Sequence, residues 1–210
     1  MTRRPITAED LLRFKFVHDP QIAPDGVRVA WVVRTIEGRK YPSHLWVDGR
    51  PWTRGAVGDR LPRWSPDGRT IAFVRTAENE ETQIWTIAGG GGEALPLTKL
   101  PAGKVKEIEW SPDGTRLAFV FHPGAREKEP PVARHITRLR YKEEGTGFVD
   151  AERDHIWIAD ARDGSVRQIT RGDWDDGGPA WSPDSRRIAI CTAVQSFGRL
   201  PHSGSPLRLR

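Results

Sequence analysis

The chain has 210 residues, of which 37% are hydrophobic and 29% charged, a composition that excludes intrinsic disorder and favours a globular fold. It has no apolar run long enough to cross a membrane, and no apolar segment follows Met1 as a secretory signal would require. A single cysteine excludes an internal disulfide. Together these features predict a cytoplasmic location. The net charge of +5 is scattered along the chain, and we therefore expect neither a nucleic-acid nor a membrane partner.

The first residues predict a short helix. Thr7 is a suitable N-cap, and Glu9 and Asp10 follow it in the first turn, where the helix dipole favours acidic side chains. We assign residues 1–20 to an N-terminal helix and arm, and residues 21–193 to a repeated region.

One short sequence occurs four times in the repeated region. The copies begin at Ile22, Trp64, Trp110 and Trp181, and each runs through Pro-Asp into a short apolar strand. The first two intervals, 42 and 46 residues, match the length of one four-stranded propeller blade, whereas the third interval of 71 residues contains an insertion at about 122–154.

The residues of the repeat have a physical explanation in a turn between two antiparallel strands. Pro presets its own φ at the first turn position, Asp accepts a nearby backbone N–H, and Gly takes a positive φ, although Ser185 replaces Gly in the fourth copy. The strands that follow the turns are apolar on both faces, as the inner strands of a blade must be when blades lie on either side.

Further strands recur between the turns. A third strand is predicted at each Leu-Trp or Ile-Trp pair, and a short fourth strand ends in Thr. The pairs are 45–46, 84–85 and 156–157, and the threonines are Thr53, Thr98 and Thr170. The alternating centre of the insertion, 136–141, predicts an additional hairpin strand, and the tail, 194–210, is predicted to be irregular.

These elements predict an all-β fold: an incomplete β-propeller of about three and a half four-stranded blades with a short N-terminal helix. Closed propellers hold four to eight blades. An array of three and a half blades leaves two open faces of apolar strand surface, and we expect these faces to be covered by a partner.

The Trp-Ser-Pro-Asp-Gly copies resemble the propeller repeats of TolB-like proteins and of the prolyl oligopeptidase family of serine peptidases. Other segments resemble the acylaminoacyl-peptidase branch of that family, and the resemblance covers residues 1 to about 190. These segments are 7–10, 19–22, 134–142, 145–148, 155–157 and 172–181. In this family the propeller caps a C-terminal α/β-hydrolase domain, which carries the Ser, Asp and His of the catalytic triad, and it admits only short peptides.

The chain departs from that family because it contains no Gly-x-Ser-x-Gly sequence, the motif that presents the nucleophile. We therefore expect a propeller portion that gates and docks but has no catalytic residues of its own. The expected partners are the missing hydrolase domain or another copy of the chain at the open blade faces, and short peptides. The alternative is a TolB-like propeller that binds peptides or proteins. The patternless tail leads us to expect a truncated or shifted reading frame near Ala193.

The reactive residue types have simple structural explanations. Repetition in the turns argues against a unique nucleophile among Ser65, Ser111 and Ser182, and Cys191 is expected to be buried. The acidic segment 173–176 lacks the spacing and the closing Glu of a calcium loop, and the segment Gly89–Gly92 lacks the Lys-Ser/Thr of a phosphate loop. We expect no metal and no cofactor.

The insertion supplies the remaining candidate site. Arg138 and Arg140 would lie on the same side of a strand, next to Tyr141. They would meet a peptide carboxylate or the acids of a hydrolase domain, and the alternative is a solvated hairpin whose charge is offset by Glu143 and Glu144.

Overall fold

The computed structural model describes residues 5–55, 58–77, 80–124, 142–143, 147–148, 152–193 and 207–208. A short helix is present as predicted, and it is a 3-10 helix, Ala8–Arg13, in which the N–H of Thr7 donates to the Asp10 carboxylate at 2.9 Å. Strands are the other regular elements of the described residues, which contain no helix that could span a membrane.

The strands form three four-stranded antiparallel blades and part of a fourth, which confirms the predicted incomplete propeller. Blade 1 comprises β1 (Phe16–Ile22), β2 (Val29–Arg34), β3 (Ser43–Val47) and β4 (Arg50–Pro51), and blade 2 comprises β5 (Gly58–Trp64), β6 (Thr70–Thr76), β7 (Thr82–Ala88) and β8 (Leu95–Pro96). Blade 3 begins with β9 (Gly103–Trp110) and β10 (Arg116–Pro123); after a hairpin of β11 (Lys142–Glu143) and β12 (Gly147–Phe148) it continues with β13 (His155–Asp160) and β14 (Val166–Gln168). Blade 4 comprises β15 (Asp175–Trp181), β16 (Arg187–Ala193) and β17 (Leu207–Arg208).

Two boundaries differ from the expectation. β1 begins at Phe16, inside the range assigned to the N-terminal arm, because Phe16 already pairs with Arg34. β17 lies inside the tail that was expected to be irregular, and there Leu207 pairs with Ile188. Both strands are defined by pairing with a distant segment, and neither has the apolar pattern that identifies the inner strands.

The second strands of blades 2 and 3 lie at the centre of the core. Residues 71–74 of β6 and 117–120 of β10 are almost completely buried, because a neighbouring blade covers each face. In β16, by contrast, Ala189 and Cys191 are exposed. The expectation that Cys191 is buried was wrong, since no described blade follows blade 4 to cover this strand.

The Ser-Pro-Asp turns are held by their own side chains. In blade 2 the Ser65 hydroxyl donates to Asp67 at 2.6 Å and accepts the N–H of Thr70 at 3.0 Å. The hydrogen bonds from Ser65 and from the N–H of Arg69 lower the pKa of Asp67. Ser111 and Ser182 make the corresponding bonds. Each of these three turns therefore has a set of hydrogen bonds within its own blade.

The predicted terminal threonines close blades 1, 2 and 3. Their hydroxyls are buried and accept a backbone N–H from the third strand, which pins the fourth strand to the third. The three bonds are Leu45 N–H to Thr53 at 2.9 Å, Ile84 N–H to Thr98 at 3.0 Å and Ile156 N–H to Thr170 at 2.9 Å.

The substitution Thr98→Val tests this closure, because valine keeps the shape of threonine but leaves the N–H of Ile84 without its partner. We expect the free energy of unfolding to fall by about 1–3 kcal/mol in urea titrations. Thr35→Val is the control, since the Thr35 hydroxyl is held only by an exposed 3.4 Å contact to Glu37. Equal effects of the two substitutions would contradict the closure role.

Ser185 has a second function that explains why it replaces glycine. It adopts a left-handed φ of +59°, which is unfavourable for a residue with a side chain. Its hydroxyl, however, accepts the N–H of Asp113 at 3.0 Å, and its carbonyl accepts the Arg116 guanidinium at 2.6 Å. A hydrogen bond between blades 3 and 4 therefore offsets the backbone cost.

The two contributions of Ser185 predict an order of stability. Ser185→Ala keeps the strained φ and loses the hydroxyl, so we expect a loss of about 1–3 kcal/mol. Ser185→Gly also loses the hydroxyl but relieves the backbone, and its loss should be smaller by about 1 kcal/mol. Thermal unfolding of both variants measures the order, and an alanine variant as stable as the glycine variant would disprove it.

Candidate functional site

The blades present two different faces. The Ser-Pro-Asp turns form one, which we call the turn face. The other, which we call the insertion face, is formed by the starts of β5, β9 and β15 and by the ends of β2, β6 and β10. The insertion leaves the propeller on this second face, after β10.

One contact is repeated between adjacent blades at the insertion face. The first residue of each contact lies three positions before the Trp of the third strand of one blade. The second residue lies five positions before the Trp that ends the first strand of the next blade. Ser43 donates its hydroxyl to the carbonyl of Asp59 at 2.8 Å, Val105 donates its N–H to the Thr82 hydroxyl at 2.6 Å, and Asp176 donates its N–H to the carbonyl of Asp154 at 2.8 Å. The pattern is kept although the chemical groups differ.

A buried ion pair lies at the first of these junctions. Asp59 is fully buried and accepts two hydrogen bonds from the Arg75 guanidinium, at 2.7 and 3.0 Å. The same guanidinium lies 4.5 Å from the centre of the Trp85 ring. Because breaking a buried pair leaves a charge without its partner, the pair is a structural element of the junction.

The acidic segment considered as a calcium loop forms the third junction. Asp176 is buried, accepts the Thr192 hydroxyl at 2.7 Å and lies 3.2 Å from Nδ1 of His155. Asp175 accepts the N–H of Asp154 at 2.9 Å, and Asp173 pairs with Arg153 at 3.3 Å. These carboxylates contact protein donors, and no set of three metal-ligating side chains is found in the described part of the chain.

A second charged cluster lies at the base of the insertion. Asp154 is 2.9 Å from Nδ1 of His122, at the end of β10 where the insertion starts, and 2.7 Å from the Lys106 ammonium on β9. Burial raises the pKa of Asp154, but the hydrogen bonds from His122 and Lys106 outweigh it and hold the pKa below its ordinary value. The cluster thus joins the two ends of the insertion to blade 3.

The turn face has its own contact between blades. The guanidinium of Arg28 lies 4.7 Å from the centre of the Trp64 ring and donates to the carbonyls of Gly68, at 3.1 Å, and of Gly89. A Cβ on Gly89 would lie 2.4 Å from the Gly68 oxygen, so this close approach requires glycine. The four-glycine run lies in the turn between β7 and β8.

The same arginine contact occurs between blades 3 and 4. The guanidinium of Arg116 lies 5.0 Å from the centre of the Trp181 ring, and it donates to the carbonyl of Ser185. Arg28 and Arg116 each follow the last turn residue by two positions, and Arg187 holds this position in blade 4. Arg187 is exposed.

A cavity of about 360 Å³ opens between blades 1 and 2 on the insertion face. Its polar wall includes Arg34 and Arg60, and its apolar wall includes Val32 and Leu61.

The structure brings together residues that the sequence interpretation did not select. Arg138, Arg140 and Tyr141 lie outside the described residues. The ion pair and the cavity were missed, although one signal was present: an Asp recurs five positions before the Trp in two copies, at Asp59 and Asp176.

Comparison with known proteins finds peptidases among the proteins similar to the chain. The uncharacterized peptidase YuxL of Bacillus subtilis strain 168 is 34% identical over 207 residues, which are 90% of the chain and 31% of that protein. The chain is a homologue of the N-terminal portion of peptidases. It spans about a third of the length of the curated relative. No protein-family model matches it.

Solved structures share the fold of the chain. The Pyrococcus horikoshii acylaminoacyl peptidase superposes with a TM-score of 0.70 at 21% identity, over 95% of the chain and 33% of that protein. TolB from Acinetobacter baumannii superposes with a TM-score of 0.53 at 20% identity, over 88% of the chain and 39% of that protein. The propeller architecture is thus shared with both peptidases and TolB.

The cluster at the base of the insertion predicts a pH-dependent effect of Asp154→Asn. The folded-state pKa of Asp154 is depressed, so its ionised form stabilises the fold above the unfolded-state pKa, and this contribution is lost as the pH falls through the folded-state pKa. We expect the variant to lose about 1–3 kcal/mol at pH 7.

Urea unfolding from pH 7 downward measures this difference, which should shrink as the pH falls below the ordinary value of 3.8. Glu93→Gln is the control, because this exposed carboxylate is not part of the cluster. A loss that stays constant down to acid pH would contradict the electrostatic role of Asp154.

Proposed function

We propose that the chain is the propeller portion of an acylaminoacyl-peptidase-like serine oligopeptidase, which docks onto an α/β-hydrolase domain and limits access to it by size. The observation that carries the proposal is the alignment of 90% of the chain with 31% of a peptidase. A homologous region of this size, built of propeller blades, fits the accessory part of the enzyme and leaves the hydrolase part to other residues.

The chain is proposed to be non-catalytic by itself. Its sequence has no Gly-x-Ser-x-Gly motif. The repeated turn serines are unsuited to be nucleophiles, since each hydroxyl is bound to the Asp two positions later at 2.6 Å. A nucleophilic serine needs a base that takes its proton, and a carboxylate within a tight structural turn has a different role.

The open edges support docking. Val17 and Ile22 of β1 are 62% and 69% exposed, whereas their counterparts in blade 2, Asp59 and Trp64, are buried. At the other edge, Arg187 occupies the position that corresponds to Arg28 and Arg116, whose guanidinium groups contact a Trp ring of the following blade. We propose that both edges pack against further blades of a longer protein.

A direct assay tests the absence of catalysis. The purified chain is incubated with a serine-directed fluorophosphonate and with an acetyl-alanyl anilide, beside a serine oligopeptidase that has its hydrolase domain. We expect neither labelling nor turnover from the chain. Stoichiometric labelling accompanied by turnover would overturn the proposal of a non-catalytic propeller.

The TolB likeness favours a second candidate, a propeller that binds peptides or proteins without a hydrolase domain. In that case two copies would close one ring and cover both edges. Light scattering distinguishes the candidates: docking edges without their natural partner should give a concentration-dependent series of oligomers, and a single dimer would favour the TolB-like module. A monomer at all concentrations would contradict the docking of the edges.

The substitution Arg187→Gln tests the edge of blade 4. Loss of a guanidinium that stacks on an indole and donates to a carbonyl should weaken association about 3- to 30-fold. The matched control is Arg186→Gln, at the neighbouring exposed position, which does not correspond to Arg28 and Arg116. Sedimentation of both variants gives the comparison, and equal association constants would exclude this role of Arg187.

A further inference from the structure

We propose that the cavity between blades 1 and 2 binds the C-terminal carboxylate of a short peptide, with Arg34 and Arg60 as the recognising groups. The cavity holds about 360 Å³, within the usual range of ligand sites, and it opens on the insertion face. Every residue used in the argument belongs to this chain, so the proposal does not depend on the hydrolase domain proposed above.

Two β-bulges shape the cavity. The pairing of β1 with β2 shifts between His18 and Gln21, and the pairing of β5 with β6 shifts between Arg60 and Arg63. A regular strand turns alternate residues to one side, but here the consecutive residues 58–61 all line the cavity. The second bulge contains Leu61 at a φ of +54°, a left-handed conformation that is unfavourable for a leucine.

The carboxylates on the cavity wall are already neutralised. Asp19 accepts the Arg63 guanidinium at 2.7 Å and the Gln21 amide at 2.8 Å. Asp59 accepts both hydrogen bonds from Arg75. Since Arg63 and Arg75 stand outside the lining, the charges of Arg34 and Arg60 are not offset by the carboxylates on this wall.

Arg60 is the more buried of the two cations. Its guanidinium donates to the carbonyl of Val105, and its burial lowers its pKa. An arginine stays charged in proteins, so a partly buried guanidinium is costly until an anion approaches it. One of its five N–H donors has a partner among the described residues, which leaves donors for a ligand.

Arg34 supplies an accessible charge at the mouth of the same cavity. It forms no ion pair with any residue that the structure describes. His18 and Tyr41 add further polar groups to this part of the lining. Guanidinium groups bind planar carboxylates through two parallel hydrogen bonds, which gives such a site its preference.

The remaining wall favours an organic anion over a small inorganic one. Val32, Leu61 and Ala77 supply the apolar part of the cavity lining. An apolar wall contributes nothing to the binding of phosphate, but it stabilises the last side chains of a peptide whose carboxylate is held by arginine. Small apolar C-terminal residues are therefore the expected ligands.

Isothermal titration of the chain with three compounds tests the proposal: N-acetyl-dialanine, its C-terminal amide and inorganic phosphate. We expect the acid to bind at least tenfold more tightly than the amide, because the amide lacks the charge, and more tightly than phosphate. Acid and amide of equal affinity, phosphate that binds as tightly as the acid, or no binding of the acid would each overturn the proposal.

Variants locate the site. Arg34→Gln should weaken binding of the acid at least tenfold and is not expected to alter folding, since Arg34 is exposed. Arg50→Gln is the matched control, an exposed arginine of the same blade outside the cavity, and it should bind as the unmodified chain does. Arg60→Gln, checked for folding by circular dichroism, should also lose binding. Equal affinity of the Arg34→Gln and Arg50→Gln variants would refute the assignment.

Discussion

The packing of one blade against the next is the constraint on which the structure depends. The second strand of a blade is apolar on both faces, and a single blade has no means of covering it. Blades 2 and 3 have neighbours on both sides, and there residues 71–74 and 117–120 are almost completely buried. At β16, which no described blade follows, Ala189 and Cys191 at the corresponding positions are exposed, whereas Ile188, which packs against Ala118 of blade 3, is buried. The array therefore determines burial, and the individual blade does not.

The polar contacts divide into two groups that serve this packing. The turn serines and the terminal threonines close a blade on itself, so that it meets its neighbour as a preformed unit. The contacts between blades then fix the relative position of two units, at the insertion face through Ser43 or Thr82 and at the turn face through Arg28 or Arg116. The arginine contact at the turn face recurs with the same residue type, whereas at the insertion face the geometry is kept and the chemistry varies.

The sequence predicts the blades because the information is local: a turn, an apolar strand and a closing Thr recur at blade spacing. It does not predict the Asp59–Arg75 pair or the cavity, since these depend on strand register and on bulges that have no residue signature. Leu61 illustrates the difficulty, because a leucine gives no indication of a left-handed backbone. The predicted burial of Cys191 was wrong for a related reason. Its strand has the apolar pattern of a buried strand, but burial also needs a following blade.

The described contacts between blades link only immediate neighbours, and this has a consequence for cooperativity. A linear array with nearest-neighbour coupling has a stability that is approximately the sum of unit and interface contributions, as in solenoid repeat proteins. Terminal units have one interface and inner units have two. In the described array we therefore expect opening to begin in blades 1 and 4 and amide hydrogen exchange to be slowest in blades 2 and 3. A ring that closes would remove this gradient by giving every blade two neighbours.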